Sequence, residues 1–176
     1  MTSIATPLVP ICRTLDAINT FVGEKTAWLT ILMVFIQFIV VLLRYIFGFG
    51  SVFLQESILY LHATVFLCGA GYTLMQDAHV RVDAFYHQSR STHKAWVNLL
   101  GCLLFLFPFL YTLFIYAWPY VSASWQVLEG SRETTGIPAV FALKTLILVY
   151  CVLLTLQGMS LSLKSLLQLT GATYDA

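Results

Sequence analysis

The side chains best suited to chemistry lie in one stretch, "QDAHVRVDAFYHQ", residues 76–88, with long apolar runs on both sides. Within it His79, Asp83 and His87 follow one another at intervals of four. On a helix, two neutral imidazoles and a carboxylate at that spacing could ligate a divalent metal. The stripe drifts by about 40° per step, however, because a turn takes 3.6 residues, and no cysteine adjoins it to complete a shell. Acyl transfer fares no better. Serines, acids and His62 are present, but hydrophobic spacing does not bring them together. Nothing resembles a nucleophile elbow, a phosphate loop or an H-E-x-x-H helix. No catalytic, metal-ligating or cofactor-binding set is therefore expected. His79, Arg81 and Asp83 are read as part of a polar connection between two membrane spans.

The elements around that stretch follow from composition. Of the 176 residues, 59% are hydrophobic and 10% charged, with mean hydropathy +0.84. A soluble domain averages roughly 45–50% apolar and about 25% charged. The difference fits a chain solvated mostly by lipid. The net charge of +1 gives no general attraction to nucleic acid. The opening "MTSIATPLVPICRTLD" lacks an early basic cluster and is broken by Pro7 and Pro10, so it is expected to be retained rather than cleaved. Cys12, Cys68, Cys102 and Cys151 are well separated, with no C-x-x-C pair. They read as small apolar packing residues, not as a zinc site or a disulfide framework.

Charge-free length predicts an all-α polytopic membrane protein, a single domain with four transmembrane helices near residues 27–47, 54–76, 95–118 and 139–165. A hydrocarbon core of about 30 Å needs roughly 20 apolar residues. The third apolar run is too long for one span and is expected to leave the membrane near Trp118 and Pro119. The fourth helix is expected to start at Pro138, since proline suits a first turn. "GFGS", residues 48–51, predicts a tight hairpin. Before the first span, Ile11, Leu15, Ile18 and Val22 share one helical face, with Arg13, Asp16, Asn19 and Thr20 largely elsewhere, which predicts an N-terminal amphipathic helix on the membrane surface. The side that holds both termini carries Arg13, Lys25, Arg81, Arg90, Lys94 and Lys164, against Arg44, Arg132 and Lys144 on the other. The positive-inside rule then places both termini in the cytoplasm.

Few polar side chains remain inside the spans. Arg44 and Glu56 flank the hairpin at similar depth and are expected to pair with each other or to contact a partner subunit. Gln37 and His62 fall near the membrane centre and are expected to face protein, either each other or a partner. Thr64, Cys68 and Gly71 form a small face that lets another helix approach, within the chain or from a partner. Secondary transporters usually set substrate and ion sites at broken helices near the midplane. These spans read as largely unbroken apart from Pro108, and intramembrane charge is scarce. Such a chain suits bracing better than carrying.

Two segments resemble a known family. They are "LQESILYLHATVFLCGAGYTLMQDAHVRVD", residues 54–83, and "EGSRETTGIPAVFALKTLILVYCVLLTLQG", residues 129–158. The chain is similar to the small, Q-type, four-span membrane subunit of tripartite ATP-independent periplasmic (TRAP) transporters. It lacks a proline that many members carry early in the last span, roughly at "ILVY", which implies a straighter fourth helix. The resemblance implies a bacterial inner-membrane protein, embedded in membrane lipid, and two protein partners. One is a large permease subunit that holds the substrate and sodium sites. The other is a periplasmic substrate-binding protein that delivers an organic acid anion. The small subunit would extend the scaffold of the large one. Two rivals are a four-span scaffold of an unrelated complex and a stand-alone membrane enzyme.

Overall fold

The computed structural model describes residues 5–77 and 91–170, and all regular structure among them is helical. Helix α1 spans Ala5–Ile46 and α2 Val52–Met75. Helix α3, Ser91–Gly101, passes through a π-helical turn at Cys102–Leu106 into α4, Phe107–Gln126. Helix α5 is Val140–Leu169. Four helical runs are long and apolar enough to cross a membrane: Leu8–Ile46, Val52–Met75, Ser91–Gln126 and Val140–Leu169. The all-α, four-span architecture is as the sequence predicts. The hairpin also forms: Gly48 takes φ +64°, the Phe49 N–H returns to the Leu43 carbonyl at 3.0 Å, and the Ser51 hydroxyl caps α2.

Three local outcomes differ from expectation. The helix of the third span does not end at Pro119 but runs on to Gln126. One proline removes a single backbone bond, and the strong helix on both sides absorbs that loss. The widening at Cys102–Leu106 lies just ahead of Pro108, where the missing N–H and the ring's clash with the Leu104 carbonyl disfavour regular α geometry; there the Phe107 N–H bonds to the Cys102 carbonyl. The fourth helix begins at Val140, two residues after Pro138.

The N-terminal segment is helical, as expected, but it is not a separate helix. It runs without a break into the first span, as part of a 42-residue helix. Its expected apolar face looks outward, with Ile11 and Ile18 exposed. The buried face is small and polar: Cys12, Asn19, Gly23 and Thr26, with Asp16 half-buried. Lipid tails are as apolar as isoleucine, so burying isoleucine against another helix gains little there. Close backbone approach and hydrogen bonds decide the packing face instead.

Helix α5 touches every other helix, while the α1–α2 pair and the α3–α4 arm touch α5 but not each other. Glycine makes the α1–α2–α5 junction tight. A Cβ on Gly71 would lie 2.0 Å from Asn19 Oδ1 and 3.2 Å from the Leu153 carbonyl, and a Cβ on Gly23 would lie 2.4 Å from Tyr72 Cβ. Asn19 Oδ1 has no hydrogen-bond partner among the described residues; it sits over Gly71, where a weak Cα–H contact is available. The small face around Gly71 is thus used within this chain. The four cysteines are all buried and unpaired with one another, as expected of packing residues.

Gly71→Ala should therefore lower stability by roughly 1–3 kcal/mol through overpacking, measured as unfolding of the purified chain in mixed detergent. Asn19→Ala should recover most of that loss, because it removes the nearest obstruction. Equal cost in both backgrounds would place the strain elsewhere.

Candidate functional site

Two polar clamps close the bundle, one at each end. At the end that holds the termini, Asp16 of α1 meets three residues of α5. Gln157, Ser160 and Lys164 recur at intervals of three and four, so one face of α5 presents all of them. Lys164 Nζ donates to Asp16 Oδ2 at 2.6 Å. The Ser160 hydroxyl and Gln157 Nε2 donate to Asp16 Oδ1 at 2.7 and 3.1 Å. The ion pair is largely shielded, with side-chain exposures of 27% for Lys164 and 17% for Asp16. Charges in such a place need both a counter-ion and hydrogen bonds to their remaining lone pairs. Asp16 has both.

At the opposite end, residues 127–139 are held by two carboxylates. Glu56, in the second turn of α2, accepts hydrogen bonds from the Ser131 hydroxyl and from the Ile137 N–H, the latter at 2.6 Å. A Cβ on Gly136 would come within 2.7 Å of the Glu56 carboxylate and closer still to Ser131, so only glycine fits this turn. Glu129 follows the end of α4. There the Glu129 N–H bonds to the Ser124 carbonyl, the Leu128 N–H bonds to the Trp125 carbonyl, and Leu128 takes φ +45°. These are the bonds of a Schellman cap, with leucine in the left-handed position that glycine usually fills. The Glu129 carboxylate accepts from the Ser124 hydroxyl at 2.7 Å and from the Lys144 ammonium. Lys144 also lies 3.9 Å from the centre of the Tyr120 ring, and Trp125 Nε1 donates to Thr145 Oγ1 at 2.9 Å. This loop is therefore tied to α2, α4 and α5 together. First the Lys144 ammonium and then the Ser124 hydroxyl hold the Glu129 carboxyl below the usual carboxylate range, against the upward push of desolvation.

The residues singled out from sequence fall into four situations. Glu56 does not pair with Arg44: equal depth brings the two helix ends level, but the nearest free donors to Glu56 belong to the loop. Arg44 is exposed in the last turn of α1, where a cation faces the negative end of the helix dipole. Cys68 and Gly71 are buried inside the bundle. Gln37 and His62 are exposed and line one cleft between α1 and α2. His79, Arg81 and Asp83, with His87, lie outside the described residues. Among the described residues, no group of three His, Cys, Asp or Glu is placed to hold a metal ion.

Sequence reasoning missed the Asp16 clamp and the part played by Glu129 and Lys144. A signal was present for the first. Asp16, Asn19, Gly23 and Thr26 form one stripe, and Gln157, Ser160 and Lys164 form another at the matching end of the last span. Two polar stripes at equal depth on apolar helices are partners for each other.

Asp16→Ala should cost about 3–5 kcal/mol, because it takes a carboxylate away from a largely shielded ammonium and removes the acceptor of two further α5 hydrogen bonds. Asp16→Leu combined with Lys164→Leu should cost far less. Unfolding of the purified chain measures both, and equal losses would mean that the pair does not act as a unit. The Glu129 clamp has a defined pH window. A carboxylate with a depressed folded pKa contributes stability fully above its unfolded value of about 4.3, and loses it as pH falls through the lower folded value. Amide protection across residues 127–139, taken relative to the intrinsic exchange rate at each pH, should thus stay constant from neutral pH to about 5 and fall only below about 4. Glu129→Gln should show faster exchange at neutral pH and lose that acid-side step.

Comparison with known proteins gives a family match. The family described as "Tripartite ATP-independent periplasmic transporters, DctQ component" matches residues 31–168. That stretch contains Glu56, the whole 127–139 loop, Lys144 and the α5 half of the Asp16 clamp. No curated protein and no solved structure matches the chain.

Proposed function

We propose a bracing role for this chain, which belongs to the DctQ component family of tripartite ATP-independent periplasmic transporters and forms the small permease subunit of one. In this reading it extends the scaffold of the large permease subunit in the bacterial inner membrane and holds no substrate site. The large subunit carries substrate and sodium, and a periplasmic binding protein delivers an organic acid anion. The chain itself performs no catalysis.

One observation carries the reading. Of the three described carboxylates within the helical spans, Glu24 is exposed on α1, and the two that sit between elements, Asp16 and Glu56, are engaged by the chain's own donors in joining helices and loop. A transport site near the midplane needs polar groups free to exchange partners. Groups locked in helix-to-helix and helix-to-loop bonds supply rigidity instead, which is what a static scaffold must have while another domain moves against it.

The excess of lysine and arginine on the side of the termini supports a cytoplasmic location for both. The 127–139 loop then faces the periplasm. Its exposed tip, Arg132, Glu133, Thr134 and Thr135, stands on a base fixed by Glu56 and Glu129, a suitable posture for meeting the soluble binding protein.

The test is reconstitution. The chain should bring a large polytopic permease with it when purified from native membrane. A bulky residue at Cys68 or Gly71, or loss of the His79–Arg81–Asp83 cluster, should reduce recovery of the complex. Transport per assembled complex in proteoliposomes should keep its order of preference among candidate acids and its sodium dependence. A changed order of preference would place this chain in the transport pathway and end the bracing reading.

A further inference from the structure

The polar side chains of the spans divide into two groups. Most are satisfied at short range. Thr14, Thr26, Ser57, Thr64, Thr73 and Thr155 each donate to the carbonyl four residues back, and Gln157 joins the Asp16 clamp. Gln37 and His62 are different. Their side chains are not placed to bond back to their own helix turn, both are exposed, and neither makes a hydrogen bond with a described residue. The His62 ring is stacked on Phe66 at 6.3 Å, which orients it along the outer face of α2.

The two lie at one depth. Counted from the hairpin at 1.5 Å per residue, each is about 14 Å below the helix end, near the middle of a hydrocarbon core of about 30 Å. They open into the same cleft, about 330 Å³ and otherwise lined by Met33, Val34 and Ile58. The surroundings are bare: none of the most apolar window of the first span is buried within the chain. Lipid tails contain no donor or acceptor. The complement to an amide and an imidazole facing outward at this depth is a hydrogen-bonding side chain on another transmembrane helix.

We propose that the cleft of Gln37 and His62 receives a transmembrane helix of the large permease subunit, which inserts a hydrogen-bonding side chain between them. The proposal rests on the bracing reading and names the face that does the bracing. Gln37 offers both a donor and an acceptor, and the imidazole offers one of each in its neutral form. Together they accept a serine, threonine, asparagine or glutamine from the incoming helix without requiring a charge. The other helices of the chain would then stand behind α1 and α2, with the clamps keeping the docking face from splaying.

A photoreactive side chain at Val34, and separately at Ile58, tests the proposal in assembled complex in native membrane. Both should crosslink to the large subunit, whereas the same group at Tyr116, exposed on α4, should label it far less. Gln37→Leu with His62→Leu should leave the amount of this chain in the membrane unchanged, since leucine is at home in lipid, while recovery of the large subunit falls roughly tenfold, about threefold per lost hydrogen bond. Crosslinks from 34 and 58 only to lipid, or to a second copy of this chain, would overturn the proposal, as would full recovery with the double leucine variant. If the large subunit co-purifies but crosslinks through Tyr116 alone, this face is wrong and the bracing reading stands. If no large permease accompanies even the unaltered chain, both fall.

Discussion

The pairing of Asp16 with Lys164 governs how the first and last helices meet. The partners are 148 residues apart, so their contact closes the bundle across nearly the whole chain. In a low dielectric the attraction is strong, but so is the cost of removing each ion from water. Ser160 and Gln157 tilt that balance by satisfying the second carboxylate oxygen. Around the pair, every close approach is set by small or polar residues: Cys12, Asn19 and Gly71 fit because the clamp has already fixed the distance between α1 and α5. At the far end the hairpin alone would hold α1 to α2. The loop bound by Glu56 and Glu129 ties α2 to the start of α5, so the two ends lock independently.

This arrangement departs from the logic of a soluble bundle. Isoleucine, phenylalanine and many leucines cover the outside, while the inside mixes buried leucines such as Leu110, Leu154 and Leu167 with cysteine, serine, asparagine, glutamine and glycine. Dispersion and interhelical hydrogen bonds decide which face turns inward, because hydrocarbon outside removes the hydrophobic difference between the two faces. Much of the small subunit's outer surface is thereby left free for lipid or for a partner.

The sequence made some of this legible. Four spans could be read because charge-free length is a direct measure of fit to a bilayer, and the hairpin because "GFGS" leaves room for little else. Two motif segments carried the family, and they contain the very residues that bind the loop: Glu56, Glu129, Ser131, Gly136 and Lys144. Their individual roles were not readable, since Glu56 and Ser131 meet only once α2, α4 and α5 are assembled. What the inward face of the N-terminal segment meets was not readable, for a plainer reason. Periodicity locates a stripe but does not say which side the solvent is on, and an apolar stripe faces lipid here. The match in depth between Arg44 and Glu56 was real, but depth carries no direction. The widened turn before Pro108 likewise depends on where the backbone can find a donor.

The unequal lengths of the helices reach beyond the chain itself. Helix α2 has 24 residues, while the helical runs on either side of it have 39 and 36. At 1.5 Å per residue these are about 36 Å against about 58 and 54 Å. No flat slab of uniform thickness matches all three at once. Leaning of the long helices and projection of their charged ends, such as Arg13 to Lys25 on α1, beyond the hydrocarbon take up much of the difference, and any apolar length left over is met by thinning or thickening of the surrounding leaflets, at a fraction of a kcal/mol per Å of mismatch. The boundary lipids thus act as an elastic collar around the protein, and bilayer thickness becomes a mechanical load that adjusts how firmly its neighbours are drawn against it.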